Sequence, residues 1–379
     1  MARREDALNL LCQRVLSTRA QIGDAWAYDA DPETGKWHTV PAGDWVDGHW
    51  IEMLRMTGDL MNRPDLVEEA RKRTEKIRYK LGLDDCFRGH RFCYSAARLY
   101  ASTGDEHMRT LALAAAWAMR AMAMQVNGAM GVGTQCEVVG ASEFAKKLLT
   151  RNTIPQDNVH PSLILDWWAW KETGDKTFLT GAERHLKVAE QTFIREDGST
   201  LEAVIMDNDT GKVLKEFTLL GISDDSCWSR GQSWMIAGFL WAFENTRKTH
   251  YLDVAKKLFD YWWGKCGADI PKWDFDDESP DAPLDTSASA VVCSALARLA
   301  VLDPFPGEVS PFTDRLEPML ENLCKHLTPL NALDHRPVGM LLDGCMNGVR
   351  KVAARNELIW GDFYLMEALY CLEKKGMPC

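Results

Sequence analysis

Phe92-Cys93-Tyr94-Ser95-Ala96-Ala97-Arg98-Leu99-Tyr100-Ala101-Ser102, closed by Thr103-Gly104-Asp105, is the stretch whose reading decides the fold. Apolar residues recur at helical spacing, glycine follows the last of them, and aspartate stands where a second helix would begin. Glycine ends a helix because it adopts the left-handed conformation without a Cβ clash. Aspartate starts one because its carboxylate accepts an orphan backbone N–H. The phrase recurs. Residues 50–56 run into Thr57-Gly58-Asp59, and residues 163–172 run into Thr173-Gly174-Asp175. A fourth run, 234–245, ends differently, at Thr246-Arg247-Lys248. Further amphipathic runs occupy 251–263, 287–302 and 358–374, and between these lie 6–19, 66–81, 106–124, 182–192 and 312–327.

The pattern predicts about a dozen helices in hairpin pairs. One β-hairpin is expected, from 201–205 through a turn at Asn208-Asp209-Thr210-Gly211 to 213–218. No interior stretch reads as a linker, so residues 1–379 are expected to form a single all-α domain. Hairpins repeated in this way close into a toroid or stack as an open solenoid, and periodicity alone leaves both open.

Composition narrows the function. A net charge of −11 argues against nucleic acid, which needs a basic face. The charged N-terminus lacks the apolar core of a secretory signal. No stretch reaches the length of a membrane span. A soluble, cytoplasmic protein is expected. Eleven cysteines are scattered without a C-x-x-C pair or a zinc-like spacing. They read as buried, reduced thiols, and neither a structural metal nor a cofactor is expected.

The chemistry concentrates in Asp224-Asp225-Ser226-Cys227-Trp228-Ser229-Arg230-Gly231-Gln232-Ser233-Trp234. A guanidinium can fork onto a carboxylate, and indole faces suit sugar rings. Carboxylates, an arginine and two tryptophans together suggest a pocket for an acidic carbohydrate. A tryptophan-packed helix start with an internal ion pair reads equally well.

These phrases, with His49-Trp50-Ile51-Glu52-Met53-Leu54, Arg195-Glu196-Asp197-Gly198-Ser199, Pro271-Lys272-Trp273-Asp274-Phe275-Asp276, Asp285-Thr286-Ser287-Ala288-Ser289-Ala290 and Leu358-Ile359-Trp360-Gly361-Asp362-Phe363-Tyr364, resemble the unsaturated glucuronyl hydrolases of glycoside hydrolase family 88. The unsaturated rhamnogalacturonyl hydrolases of family 105 are a more distant likeness. The resemblance spans residues 45–372. It implies an (α/α)6 barrel of six helical hairpins and a metal-free hydrolase. Such enzymes cleave a terminal 4,5-unsaturated uronic acid: an aspartate protonates C4, water adds at C5, and the hemiketal opens to release the aglycone. An acidic oligosaccharide or glycoside is the implied partner; the oligomeric state is not given.

The sequence departs from the family pattern at several positions. Where the family has an aspartate before its second inner helix, ungapped counting places Phe87. Where it has the proton-donating aspartate, counting places Asn158, with Asp157 adjacent. Glu202 replaces a histidine, Leu220 a glutamine and Cys136 a tryptophan. Three readings follow: Asp157 is the acid/base through a one-residue offset; Glu202, His160 or His90 carries altered chemistry on another acidic glycoside or natural product; or the site only binds acidic sugars. The catalytic candidates are therefore Asp157, Asn158, Glu202 and His160. Arg230 is the expected carboxylate grip, with Asp225 either to orient it or to act in the chemistry itself. Trp50 and Trp234 form the expected sugar platform beside Trp228, and Arg88 and His90 either supply positive charge for a more anionic substrate or cap a helix.

Overall fold

The computed structural model describes residues 4–136, 147–302 and 306–377. In chain order they form α1 (Arg4–Ile22), β1 (Trp26–Ala30), β2 (Trp37–Val40), α2 (Asp47–Leu60) and α3 (Pro64–Lys76). A helical run follows as α4 (Arg88–Phe92), a π-turn (Cys93–Ala97) and α5 (Arg98–Thr103). Then come α6 (Glu106–Arg120), β3 (Thr153–Pro155), α7 (Ile164–Thr173), α8 (Lys176–Phe193), β4 (Ala203–Met206) and β5 (Val213–Phe217). The chain continues with α9 (Ser229–Thr246), α10 (Thr249–Cys266), α11 (Thr286–Ala300), α12 (Pro306–Thr313), α13 (Leu316–Cys324), β6 (Glu357–Leu358) and α14 (Ile359–Lys374).

Burial sorts the helices into two rings. In α9 every residue from Ser229 to Phe243 is buried, and so is every residue of α14 from Ile359 to Cys371. In α8 burial is confined to Phe178, Ala182, His185, Leu186, Ala189 and Phe193, the stripe of a helix with one wet face. The buried helices touch in a closed circuit: α2 meets the π-turn, which meets α7, then α9, α11, α14 and α2 again. Each packs outward on a partner, α2 on α3, α7 on α8, α9 on α10 and α14 on α1. The hairpins therefore close into the (α/α)6 barrel rather than an open solenoid.

The Thr-Gly-Asp phrases perform as expected at two places. Gly104 and Gly174 cap α5 and α7 at φ +73° and +72°, and the next residues, Asp105 and Asp175, accept from the N–H of His107 and Thr177. The first phrase differs. Gly58 lies inside α2, and a Cβ there would meet Val67 at 2.8 Å and the carbonyl of Arg63 at 2.9 Å. This glycine serves close packing of α3, not a cap.

The expected hairpin is present as β4–β5, with β3 added antiparallel to β4. A second sheet, β2-β1-β6, has no counterpart in the sequence reading. Its strands are too short for alternation to show, and it forms only because the segment ahead of α14 returns to the first strand.

Gly89, in the first turn of α4, lies against the chain that enters α7. A Cβ there would sit 2.1 Å from the Pro161 carbonyl oxygen and 2.6 Å from that of Ser162. Gly89→Ala is expected to destabilise the protein by about 1–3 kcal/mol through overpacking, read as a lowered urea midpoint with an unchanged slope.

Candidate functional site

All the inner helices point their N-termini toward one end of the barrel, and a cavity of about 150 Å³ opens there. Trp45, just ahead of α2, lines it, as do Cys86 and Phe87 ahead of α4, and Asp157, Asn158 and Pro161 ahead of α7. Trp228, Arg230 and Trp234 contribute from the start of α9, and Met346, Asn347, Arg350 and Val352 from the segment before α14. Converging helix N-termini carry partial positive charge and favour an anion between them.

Asp157 sits on a 3₁₀ turn, Gln156–Val159, that continues β3. The Gln156 N–H donates to the Glu202 carbonyl at 2.8 Å, fastening this turn to the extension of β4. Sheet pairing therefore places the two carboxyl groups, distant in sequence, on one wall. Their surroundings differ. Asp157 Oδ1 is buried without a hydrogen-bond partner. Burial, with the nearby Glu202 charge, pushes the Asp157 carboxyl up to about 8. Glu202 accepts from the backbone N–H of Leu219 at 3.0 Å, Leu220 at 2.9 Å and Gly221 at 3.1 Å, and from the Thr218 hydroxyl. Burial raises Glu202 too, while those donors lower it. Glu202 is thus held as an acceptor by four donors, whereas Asp157 Oδ1 has none. Glu202 is buried and anchors the loop at 218–221.

Asn158 points away from this role. Its Nδ2 donates to the Met130 carbonyl at 2.7 Å, tying the turn to the glycine-rich segment 128–133. His160 and His90 lie beneath the cavity floor, not among its lining residues. His160 stacks on Trp234 at 5.6 Å between ring centres, and its Nε2 is 3.3 Å from the Tyr94 hydroxyl. His90 Nε2 is 3.2 Å from the Tyr364 hydroxyl. Burial drives both imidazoles well below their usual range. Neutral at ordinary pH, neither supplies positive charge nor a readily lost proton, contrary to the sequence expectation.

Arg230 lines the cavity, yet its guanidinium is engaged by the protein. Nη1 pairs with Asp285 and donates to the Cys345 carbonyl at 2.6 Å; Nη2 donates to the Met346 carbonyl at 2.9 Å. The cation lies 4.7 Å from the Trp228 ring centre and 5.7 Å from that of Trp360. Asp285, the N-cap of α11, orients it. Asp225 does not: it is exposed and accepts from the Ser223 hydroxyl at 2.6 Å. The expected platform residue Trp50 is buried in the barrel away from the cavity, and Trp45 takes the lining position. Trp45 packs on Phe87 at 5.3 Å and on Trp360 at 5.0 Å. Arg88 is buried outside the lining, donating to the Leu83 carbonyl, with Nη1 3.2 Å from Met122 Sδ. Trp228 and Trp234 line the cavity as expected, and the indole N–H of Trp228 has no partner. Sequence reading missed Arg350, a cation exposed at the rim. Its signal was the basic cluster Arg350-Lys351 in an otherwise acidic chain.

No protein-family model matches the chain. It is 26% identical over 382 residues, covering 97% of this chain and 95% of the relative, to the unsaturated glucuronyl hydrolase of Bacillus sp. (strain GL1). It is 26% identical over 344 residues, covering 86% of this chain and 81% of the relative, to the unsaturated chondroitin disaccharide hydrolase of Streptococcus pneumoniae. Among solved structures, a variant UGL with dGlcA-Glc-Rha-Glc superposes with a TM-score of 0.84 at 24% identity, covering 98% of this chain and 97% of that one.

The Asp157 carboxyl carries a linkage consequence. In the unfolded chain it ionises near the usual ~4; in the folded protein it holds its proton up to about 8. The native state thus binds the extra proton between these values, and stability from this group falls as pH rises through that window. Asp157→Asn keeps the shape of the protonated acid. Its melting temperature is expected to exceed the wild type's near pH 8, with the difference vanishing near pH 4. Differential scanning calorimetry across pH checks this.

Proposed function

We propose, from the premise that this chain is a homologue of the unsaturated glucuronyl hydrolases, that it hydrates the C4=C5 bond of a terminal unsaturated uronyl glycoside and so releases the aglycone. The observation carrying this reading is Asp157: a carboxyl with an unpartnered buried oxygen, held protonated to about 8, in a tryptophan-lined cavity.

In this reading Asp157 delivers its proton to C4 of the vinyl ether, leaving positive charge shared between C5 and the ring oxygen. The Asp157 carboxylate then accepts a proton from the water that adds at C5. The C5 hemiketal collapses, the ring opens, and the aglycone departs with its oxygen protonated. Glu202, fixed by its ring of N–H donors, supplies a negative charge that keeps Asp157 protonated before the reaction and favours the cationic transition state. The indoles of Trp45, Trp228 and Trp234 flank the sugar. The substrate carboxylate lies in the field of the inner-helix N-termini, with Arg350 at the rim as its mobile cation. Arg230 contributes through the shape it imposes, because Asp285 already balances its charge.

No helix among the described residues is long and apolar enough to cross a membrane. We place the enzyme in the cytoplasm, a location supported by cysteines such as Cys12, Cys227 and Cys371, which are buried as thiols.

Loss of the ultraviolet absorbance of the conjugated double bond, on incubation with lyase-generated disaccharides of glycosaminoglycans, is the direct assay. Asp157→Asn is expected to lower kcat by roughly 10²–10⁴-fold, the usual contribution of a general acid–base. Wild-type kcat should fall as pH rises through about 8, where Asp157 loses its proton. Turnover unaffected by Asp157→Asn would refute the assignment. Arg350→Ala is expected to raise KM several-fold with kcat nearly unchanged, an effect that shrinks in high salt because the residue is exposed.

A further inference from the structure

We propose that Asp85, Cys86 and Cys136 form a binding site for a thiophilic divalent cation, of which Zn²⁺ is the type, set in the wall of the cavity. One carboxylate oxygen and two sulfurs all lie within 4.8 Å of one another, and all three residues are buried. Two thiolates and a carboxylate are the donors that select zinc-like ions over calcium or magnesium. Three protein ligands leave the fourth tetrahedral position open, the pattern of sites that bind water or a ligand. Cys86 and Cys136 both line the cavity while Asp85 does not. The open position therefore faces the space where an acidic sugar would enter.

The surroundings of Asp85 suit a ligand. Its Oδ2 accepts from Arg91 Nη1 at 2.8 Å and its Oδ1 from the Phe87 N–H at 2.9 Å. Such outer contacts fix a coordinating carboxylate while leaving further lone pairs on each oxygen. Arg91 also donates to Asp47 at 2.8 Å, so the group is held by the inner wall of the barrel. Cys86 and Cys136 sit in a small buried cluster with Met119, Met122, Met130 and Val132.

Without an ion both thiols stay protonated. Cys136 is pushed well above its usual range by its contact with the Cys86 thiol and then by burial, and Cys86 is raised chiefly by burial. Binding then proceeds as M²⁺ plus two thiols to a dithiolate complex and two released protons. The bound group carries the cation's two positive charges against two thiolates and Asp85, with Arg91 balancing the remainder. No oxidation is involved.

The test uses the full chain, reduced and stripped with a chelator, titrated with Co²⁺ and then Zn²⁺. One equivalent of Co²⁺ is expected to produce a thiolate-to-cobalt charge-transfer band and the visible bands of tetrahedral cobalt. About two protons should be released per ion in weak buffer. Zn²⁺ should abolish the bands. Cys86→Ser and Cys136→Ser should each remove the charge-transfer band while leaving the far-ultraviolet circular dichroism intact, and the control Cys266→Ser should keep it. Glucuronate should shift the visible bands by filling the open position. Absence of the band, its survival in the Cys86→Ser/Cys136→Ser double variant, or a Cys86–Cys136 disulfide in freshly purified protein by mass spectrometry would each overturn the site. The readout is independent of catalysis, so it stands or falls separately from the hydration reaction.

Discussion

The Arg230 clamp is the interaction on which the cavity end of the barrel depends. One guanidinium joins the first turn of α9, the N-cap aspartate of α11 and the carbonyls of Cys345 and Met346, and lies against the faces of Trp228 and Trp360. Every one of these partners is buried, so removing the charge or its Asp285 counterpart would strand the other in a low dielectric. Breaking such a pair costs about 3–5 kcal/mol. The same clamp shapes the cavity: it holds the 345–352 segment over one side and fixes the indole whose N–H remains available.

The polarity of the barrel follows from its connectivity. Each inner helix begins at the cavity end and finishes at the other, α5 and α7 in Thr-Gly-Asp turns. A second hollow, of about 540 Å³, lies among those C-termini, lined by Trp167, Trp168, Trp241 and Arg298. Two of the charged groups there are paired: Glu172 with Arg109, and Arg298 with Glu244. At the N-terminal end, by contrast, a carboxyl oxygen of the cavity wall, Asp157 Oδ1, is buried without a donor. A desolvated acid keeps its proton, and the surrounding helix dipoles favour an incoming anion. That asymmetry, not cavity size, distinguishes the two ends of the barrel.

Much of this was legible in the chain. The helical phrases gave the hairpins, because a buried inner helix is apolar all round and an outer one carries a stripe. Asp157, Trp228 and Trp234 were recognisable candidates, and all three line the cavity. Other assignments were not recoverable. Trp45 and Trp50 are a turn or so apart on the same chain, and which indole reaches the cavity depends on where α2 begins relative to the ring. Asp225 and Asp285 are equally plausible partners for Arg230 by composition. Only the packing of α9 against α11 chooses Asp285.

Sequence by itself therefore determined the helical hairpins and the kinds of chemical group near their ends, since periodicity, caps and charge are local properties of the chain; closure of the hairpins into a barrel was set by tertiary contacts. Tertiary structure alone decided which groups are free to react. Protonation and reactivity depend on how many donors reach a carboxylate and how much water is excluded from it. Glu202 acquired its donors from a loop 16 to 19 residues away, and Asp157 acquired none for its buried oxygen. Both outcomes were set by sheet pairing and helix packing rather than by the neighbours of either residue in the chain.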